Sequence, residues 1–147
     1  MRCLKGDSFL ILNNFNKREG KMDKIDLEKI DKIIKDREYA NNYLISKKSK
    51  TYNSFLELEK NTFTSNKLER KYKELIAIGI SIVMNCESCI EWHIHQALEL
   101  GSSFDEILES IEVGIEMGGG PATVSTRFAI KVIEYYQNKI IKELKLK

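Results

Sequence analysis

Apolar residues recur at three- and four-residue intervals along most of this chain, and a single proline interrupts it, so α-helices are the elements the sequence favours. From Asp26 to about Ile45 the stripe runs through Leu27, Ile30, Ile33, Ile34 and Tyr39. A second amphipathic segment spans Lys50 to Thr62, and Ser65 is placed to cap a third from Asn66 to Met84. Apolar residues crowd the C-terminal half of that third helix, which predicts a central element buried nearly all round there. Asn85 is expected to N-cap a helix that begins at Cys86 and closes at Gly101. Ser103 and Glu106 form a Ser-x-x-Glu capping box for the next, which stops at Gly118-Gly119-Gly120. Pro121 suits the first turn of a last helix, with apolar positions from Val124 to Leu144. No β-hairpin signal and no internal repeat appears, so the expectation is an all-α, single-domain bundle of about six helices.

The bulk properties exclude several function classes. With 147 residues, 42% hydrophobic and 31% charged, the chain has the size and composition of one ordinary helical domain. Its 24 basic and 22 acidic residues are interspersed, which leaves no field directed at nucleic acid. No apolar run approaches the roughly 20 residues of a bilayer span, so no membrane insertion is expected. The apolar stretch Phe9-Leu10-Ile11-Leu12 is too short for an export signal and runs into Asn13-Asn14. Residues 1–21 read as a flexible leader carrying the unpaired Cys3, and residues 22–147 as the helical domain. Three cysteines, two of them in a Cys-x-x-Cys pair, point to redox or metal chemistry in a reducing compartment, hence the cytoplasm.

On a helix at about 100° per residue, Cys86, Cys89 and His93 fall on one face, whereas His95 lies roughly 160° from His93. Cysteine reacts as the thiolate, and an unassisted thiol with a pKa near 8.5 is mostly protonated at neutral pH. Free N–H groups at the helix start favour an anion at Cys86, while His93 can exchange a proton with Cys89. Spacing leaves open which sulfur attacks. Whichever reacts first, its neighbour can close an intramolecular disulfide. If the chain turns back at Asn85, Glu74 comes level with His93, and a Glu–His proton relay facing the cysteines becomes possible.

The pattern Glu74-x11-Cys86-x2-Cys89-x3-His93 resembles the signature of the alkylhydroperoxidase D-like branch of the carboxymuconolactone decarboxylase family. Lys73-Glu74-Leu75, Ala97 to Gly101, Phe104-Asp105-Glu106-Ile107 and Met117-Gly118-Gly119 are also similar to that family, and the likeness covers roughly Ser54 to Tyr136. The resemblance implies a helical subunit whose central antiparallel helix pair carries the Cys-x-x-Cys site. It also implies Cys89 as the attacking cysteine, Cys86 as the resolving one, and Glu74 with His93 as the proton relay. A peroxide or disulfide substrate, an external dithiol donor, a homotrimer or homohexamer, and no bound cofactor are implied with it. One departure is Ser88, where peroxidases of this type often carry histidine; a hydroxyl is no general base near neutral pH, so proton handling rests on His93 and Glu74.

Other readings of the same residues are a lactone decarboxylase, named by the wider family, and a redox-sensing oligomer that oxidises without turnover. The decarboxylase chemistry does not need two thiols. A zinc site at Cys86, Cys89 and His93 lacks a well-spaced fourth ligand, so no metal is expected. Trp92 reads as a packing or interface residue, and the broad apolar face of the last helix suits either its own subunit or a neighbour.

Overall fold

The computed structural model describes residues 22–145, all-helical and without strands. The leader and Cys3 lie outside the described residues. Five helices follow in order: α1 (Lys24–Ser46), α2 (Lys50–Phe63), α3 (Arg70–Val83), α4 (Glu87–Glu99) and α5 (Phe104–Lys145). Side chains fix their starts. Asp23 accepts from the Asp26 N–H at 2.8 Å, Ser49 from the Tyr52 N–H at 3.2 Å, and Ser103 exchanges the reciprocal capping-box bonds with Glu106 at 3.1 and 2.8 Å.

Three helices end in the same way. Lys48, Asn85 and Gly101 each adopt positive φ just past a helix, and in each case two backward N–H bonds close the last turn. At the end of α3 these run from Asn85 N–H to the Ile82 carbonyl at 3.2 Å and from Cys86 N–H to the Ser81 carbonyl at 3.1 Å. Gly101 closes α4 as its sequence position indicates. Asn85 does not N-cap α4 as expected. It is the left-handed residue that ends α3, and the cap of α4 is Cys86 itself. Asparagine favours both positions, since its short amide tolerates left-handed backbone.

Two more boundaries differ from expectation. Ser65 bonds the Arg70 N–H at 3.0 Å, because a turn over residues 66–69 delays α3 to Arg70. The glycine run does not separate two elements by a loop; Gly119 alone leaves helical geometry, at φ 62° and ψ −151°, and the chain resumes its helix at once with Pro121 in the first turn. Counting α5 as one helix gives five elements, and splitting it there gives six.

α3 is central, packed on both α4 and α5. Ile78, Ile82, Ile90, Ile94, Ile107 and Ile111 are fully buried between them, each contributing about 1.5–3 kcal/mol of hydrophobic stabilisation. The α3–α5 crossing is close: a Cβ on Gly114 would lie 2.8 Å from the Gly79 carbonyl oxygen and 2.9 Å from Ile82 Cβ. The prediction that the C-terminal half of α3 is buried all round is corrected. Only the side bearing Ile78, Ser81 and Ile82 is covered, whereas Ile76 and Ile80 are each 53% exposed, because no other described element of the chain reaches them. The last helix meets its own subunit through Phe128, Ala129, Val132, Ile133 and Tyr136.

Candidate active site

The turn between α3 and α4 sets the geometry of the sulfurs. Left-handed backbone at Asn85 reverses the chain, and the Asn85 amide oxygen accepts from the Ser125 hydroxyl at 2.9 Å, tying the turn to α5. Cys86, next in sequence, accepts from the Cys89 N–H through Sγ at 3.3 Å, and the two cysteines are joined in a disulfide. The sulfur at position 86 therefore occupies the place a serine or aspartate oxygen takes in an ordinary N-cap.

The reversal brings Glu74 of α3 alongside His93 of α4, with Oε2 and Nδ1 2.8 Å apart. Glu74 is 1% exposed. Its other oxygen accepts from Arg70 Nε at 3.2 Å, and the same guanidinium donates to Gln96 Oε1 at 2.6 Å. The buried carboxylate is thus partnered at both oxygens, as its desolvation requires. Phe63 of α2 stacks on the His93 ring with centroids 5.4 Å apart and limits how the imidazole can rotate. The structure thus joins Cys86 to Cys89 at the start of α4 and Glu74 to His93 in the middle of the same helix. His95 faces elsewhere, stacked on Tyr136 at 5.0 Å with its Nε2 3.6 Å from Glu99.

A further group of residues has no signature in the sequence. Arg37 of α1 reaches α4, where it donates to the Ser88 carbonyl at 3.1 Å and to Ser88 Oγ at 3.4 Å and pairs with the fully buried Glu91. The Tyr136 hydroxyl donates to the remaining oxygen of Glu91. Burial, and then that hydrogen bond, push the Tyr136 phenol far above its ordinary value, so it stays protonated. Trp92 lies beneath the Arg37 guanidinium at 4.9 Å, which makes it a packing residue of this cluster.

Two concave regions flank these elements. One, of about 490 Å³, is bounded by Leu56, Phe63, Arg70 and Trp92 and adjoins His93 through Phe63. The other, about 660 Å³, is an apolar groove between α3 and α5 lined by Tyr72, Ile76, Ile80, Val83, Val113 and Met117. Among the described residues no group of three or more His, Cys, Asp and Glu side chains is arranged to hold a metal ion, and no helix is long and apolar enough to cross a membrane.

Comparison with known proteins places this chain in a family. The sequence model of the carboxymuconolactone decarboxylase family matches residues 49–131. An uncharacterized protein in the cox locus of Paracoccus denitrificans is 35% identical over 81 residues, 55% of this chain and 73% of its own length. Among solved structures, an apo carboxymuconolactone decarboxylase family protein from Legionella pneumophila superposes with a TM-score of 0.66 at 26% identity, covering 76% of this chain and 96% of that one. A Thermotoga maritima member superposes with a TM-score of 0.70 at 25% identity over 76% of this chain and 95% of that one. The description of the Thermotoga protein raises an involvement in the antioxidative response.

Proposed function

The chain belongs to the carboxymuconolactone decarboxylase family, and from that premise we propose that it is a thiol-dependent oxidoreductase that reduces peroxides, or exchanges disulfides, through Cys86 and Cys89. The observation that carries this reading is a disulfide at the start of α4 together with a Glu74–His93 couple that joins α4 to the adjoining α3. A lyase needs no such sulfur pair. The antioxidative description of the Thermotoga neighbour agrees with the oxidoreductase.

In the proposed cycle the Cys89 thiolate attacks a peroxide oxygen, the O–O bond breaks, and the departing alkoxide takes a proton to leave as an alcohol or water. Cys89 becomes a sulfenic acid. Cys86 then attacks that sulfur, the S–O bond breaks, and one water is released as the disulfide forms. An external dithiol restores both thiols and is itself oxidised. With Nδ1 of His93 directed at the Glu74 carboxylate, Nε2 is the ring atom free to take the Cys89 proton and return it to the leaving oxygen. A reducing compartment such as the cytoplasm supplies the donor that keeps this cycle running.

The subunit is proposed to work as a homotrimer or homohexamer, with the α3–α5 groove covered by a second copy. An uninterrupted apolar surface from Tyr72 to Met84 on one helix, continued by Val113 and Met117 on the other, has the composition of a permanent interface.

The direct test follows peroxide loss with a dithiol donor in the wild-type protein and in Cys89→Ser. Turnover is expected only with the wild type, and unchanged turnover in the variant would overturn the mechanism. Counting thiols before and after a peroxide pulse separates a catalyst, whose thiols return with donor over many cycles, from a sensor that oxidises once.

A further inference from the structure

α4 presents two working faces. Cys86, Cys89 and His93 share one, and Ser88, Glu91 and Trp92 share another, about 140° around the axis. The second face is held from α1 by Arg37, whose side chain is 18% exposed and whose guanidinium meets the Ser88 carbonyl, the Ser88 hydroxyl and the Glu91 carboxylate while stacking on Trp92. Glu91 is fixed in turn by the Tyr136 hydroxyl from α5. Arginine suits this position because its planar fork can satisfy several acceptors at once, which a lysine ammonium in one place cannot.

The Ser88 carbonyl belongs to the same rigid peptide unit as the Cys89 N–H, and that N–H donates to Cys86 Sγ at 3.3 Å. Arg37 therefore grips one end of a planar unit whose other end touches the sulfur of Cys86. A cationic donor on the carbonyl polarises the peptide and strengthens its N–H as a donor. The N–H so oriented favours negative charge on Cys86 over Cys89.

We propose that Arg37 is a positioning residue that acts through the Ser88–Cys89 peptide to make Cys86 the leaving sulfur when the disulfide is reduced. The proposal rests on the thiol–disulfide reading above. In this step a donor thiolate attacks Cys89 Sγ, the Cys89–Cys86 bond breaks, and its electron pair leaves on Cys86 as thiolate. The product is a mixed disulfide between Cys89 and the donor, whose second thiol then releases Cys89 and becomes oxidised. A better-stabilised thiolate leaves faster, so Arg37 accelerates recharging rather than peroxide attack.

The test uses the full chain in a Cys3→Ser/Cys89→Ala background, where Cys86 keeps the 89 N–H and is the one thiol left to titrate, followed by ultraviolet thiolate absorbance and alkylation rate against pH. Arg37→Met is expected to cut the Cys86 thiolate fraction at neutral pH by about tenfold, a rise of about one pKa unit. Because Arg37→Met leaves Glu91 buried without its cation, the neutral double variant Arg37→Met/Glu91→Gln is measured beside it and is expected to show the same loss, with Arg37→Lys intermediate. With both cysteines present, the rate of disulfide reduction by the dithiol falls, and the rate at which peroxide oxidises Cys89 to the sulfenic acid, read by trapping that acid, does not. A Cys86 midpoint unmoved in the double variant, even with a lowered melting temperature, would make Arg37 structural only and overturn the proposal. A wild-type protein inert to every peroxide and every disulfide substrate would instead defeat the proposed function and leave the Cys86 titration standing.

Discussion

Glu74 and His93 are 19 residues apart in the chain, yet carboxylate and imidazole meet at 2.8 Å between α3 and α4. Glu74→Gln preserves the shape and a hydrogen-bond acceptor for Nδ1 while removing the charge that stabilises an imidazolium. Turnover in the dithiol-coupled assay is expected to fall about a hundredfold or more, the scale of a lost acid–base partner, with the helical circular dichroism unchanged. A variant as fast as the wild type would remove the relay from the mechanism.

The two sulfurs predict different failures. Cys89→Ser abolishes the first step. Cys86→Ser leaves an attacking thiol with no resolving partner, so it should consume one equivalent of peroxide and then stall, with Cys89 advancing to sulfinic acid under excess oxidant. Intact-mass measurement distinguishes these outcomes, and a reversed pattern would exchange the two roles.

At the α3–α5 crossing, Gly114→Ala places a methyl group 2.8 Å from the Gly79 carbonyl oxygen and 2.9 Å from Ile82 Cβ. The helices must separate to admit it. A destabilisation of about 1–3 kcal/mol by urea unfolding is expected, against the small gain that alanine brings to an open helical site.

Alkaline stability should depend on Tyr135. Burial, followed by the hydroxyl's 2.8 Å bond to Asp31, pushes its phenol up to about 12 from the ordinary 10.0. The folded chain then retains a proton that the unfolded chain releases, so this contribution to stability is complete below pH 10.0 and is lost as pH rises through about 12. Denaturant midpoints across that window should fall less steeply for Tyr135→Phe than for the wild type, and parallel curves would contradict the assignment.

Ile80 is 53% exposed in the middle of the apolar groove. Ile80→Glu should convert the proposed oligomer to monomers in light scattering while leaving the single chain folded, because the side chain projects away from its own core. An assembly indifferent to this charge would move the interface elsewhere.

Helical periodicity made most of this fold legible, since each stripe of isoleucine and leucine reports the face that must be covered. The capping box at Ser103 and Glu106 and the left-handed Gly101 were readable because they depend on neighbours in sequence. The pairing of Cys86 with Cys89 depends on neighbours in the same way. What could not be read depends on partners far along the chain. Asn85 satisfies local rules for either of two cap positions, and only the backward bonds of α3 decide between them. Arg37, Glu91 and Tyr136 read singly as solvated charge and ordinary aromatic, and their burial together follows from how α1 and α5 meet α4. The exposed side of α3 escaped notice for the opposite reason: isoleucine looks the same in sequence whether its own chain covers it or not.

The bond between Ser125 and Asn85 spans 40 residues. Such a long-range closure forms only after the chain has lost the freedom of everything between. On a ribosome, residue 85 emerges well before residue 125, so the turn that presents Cys86 waits through the synthesis of α4 and half of α5 before its side chain finds its partner. The cysteines are made early, and their setting is completed late.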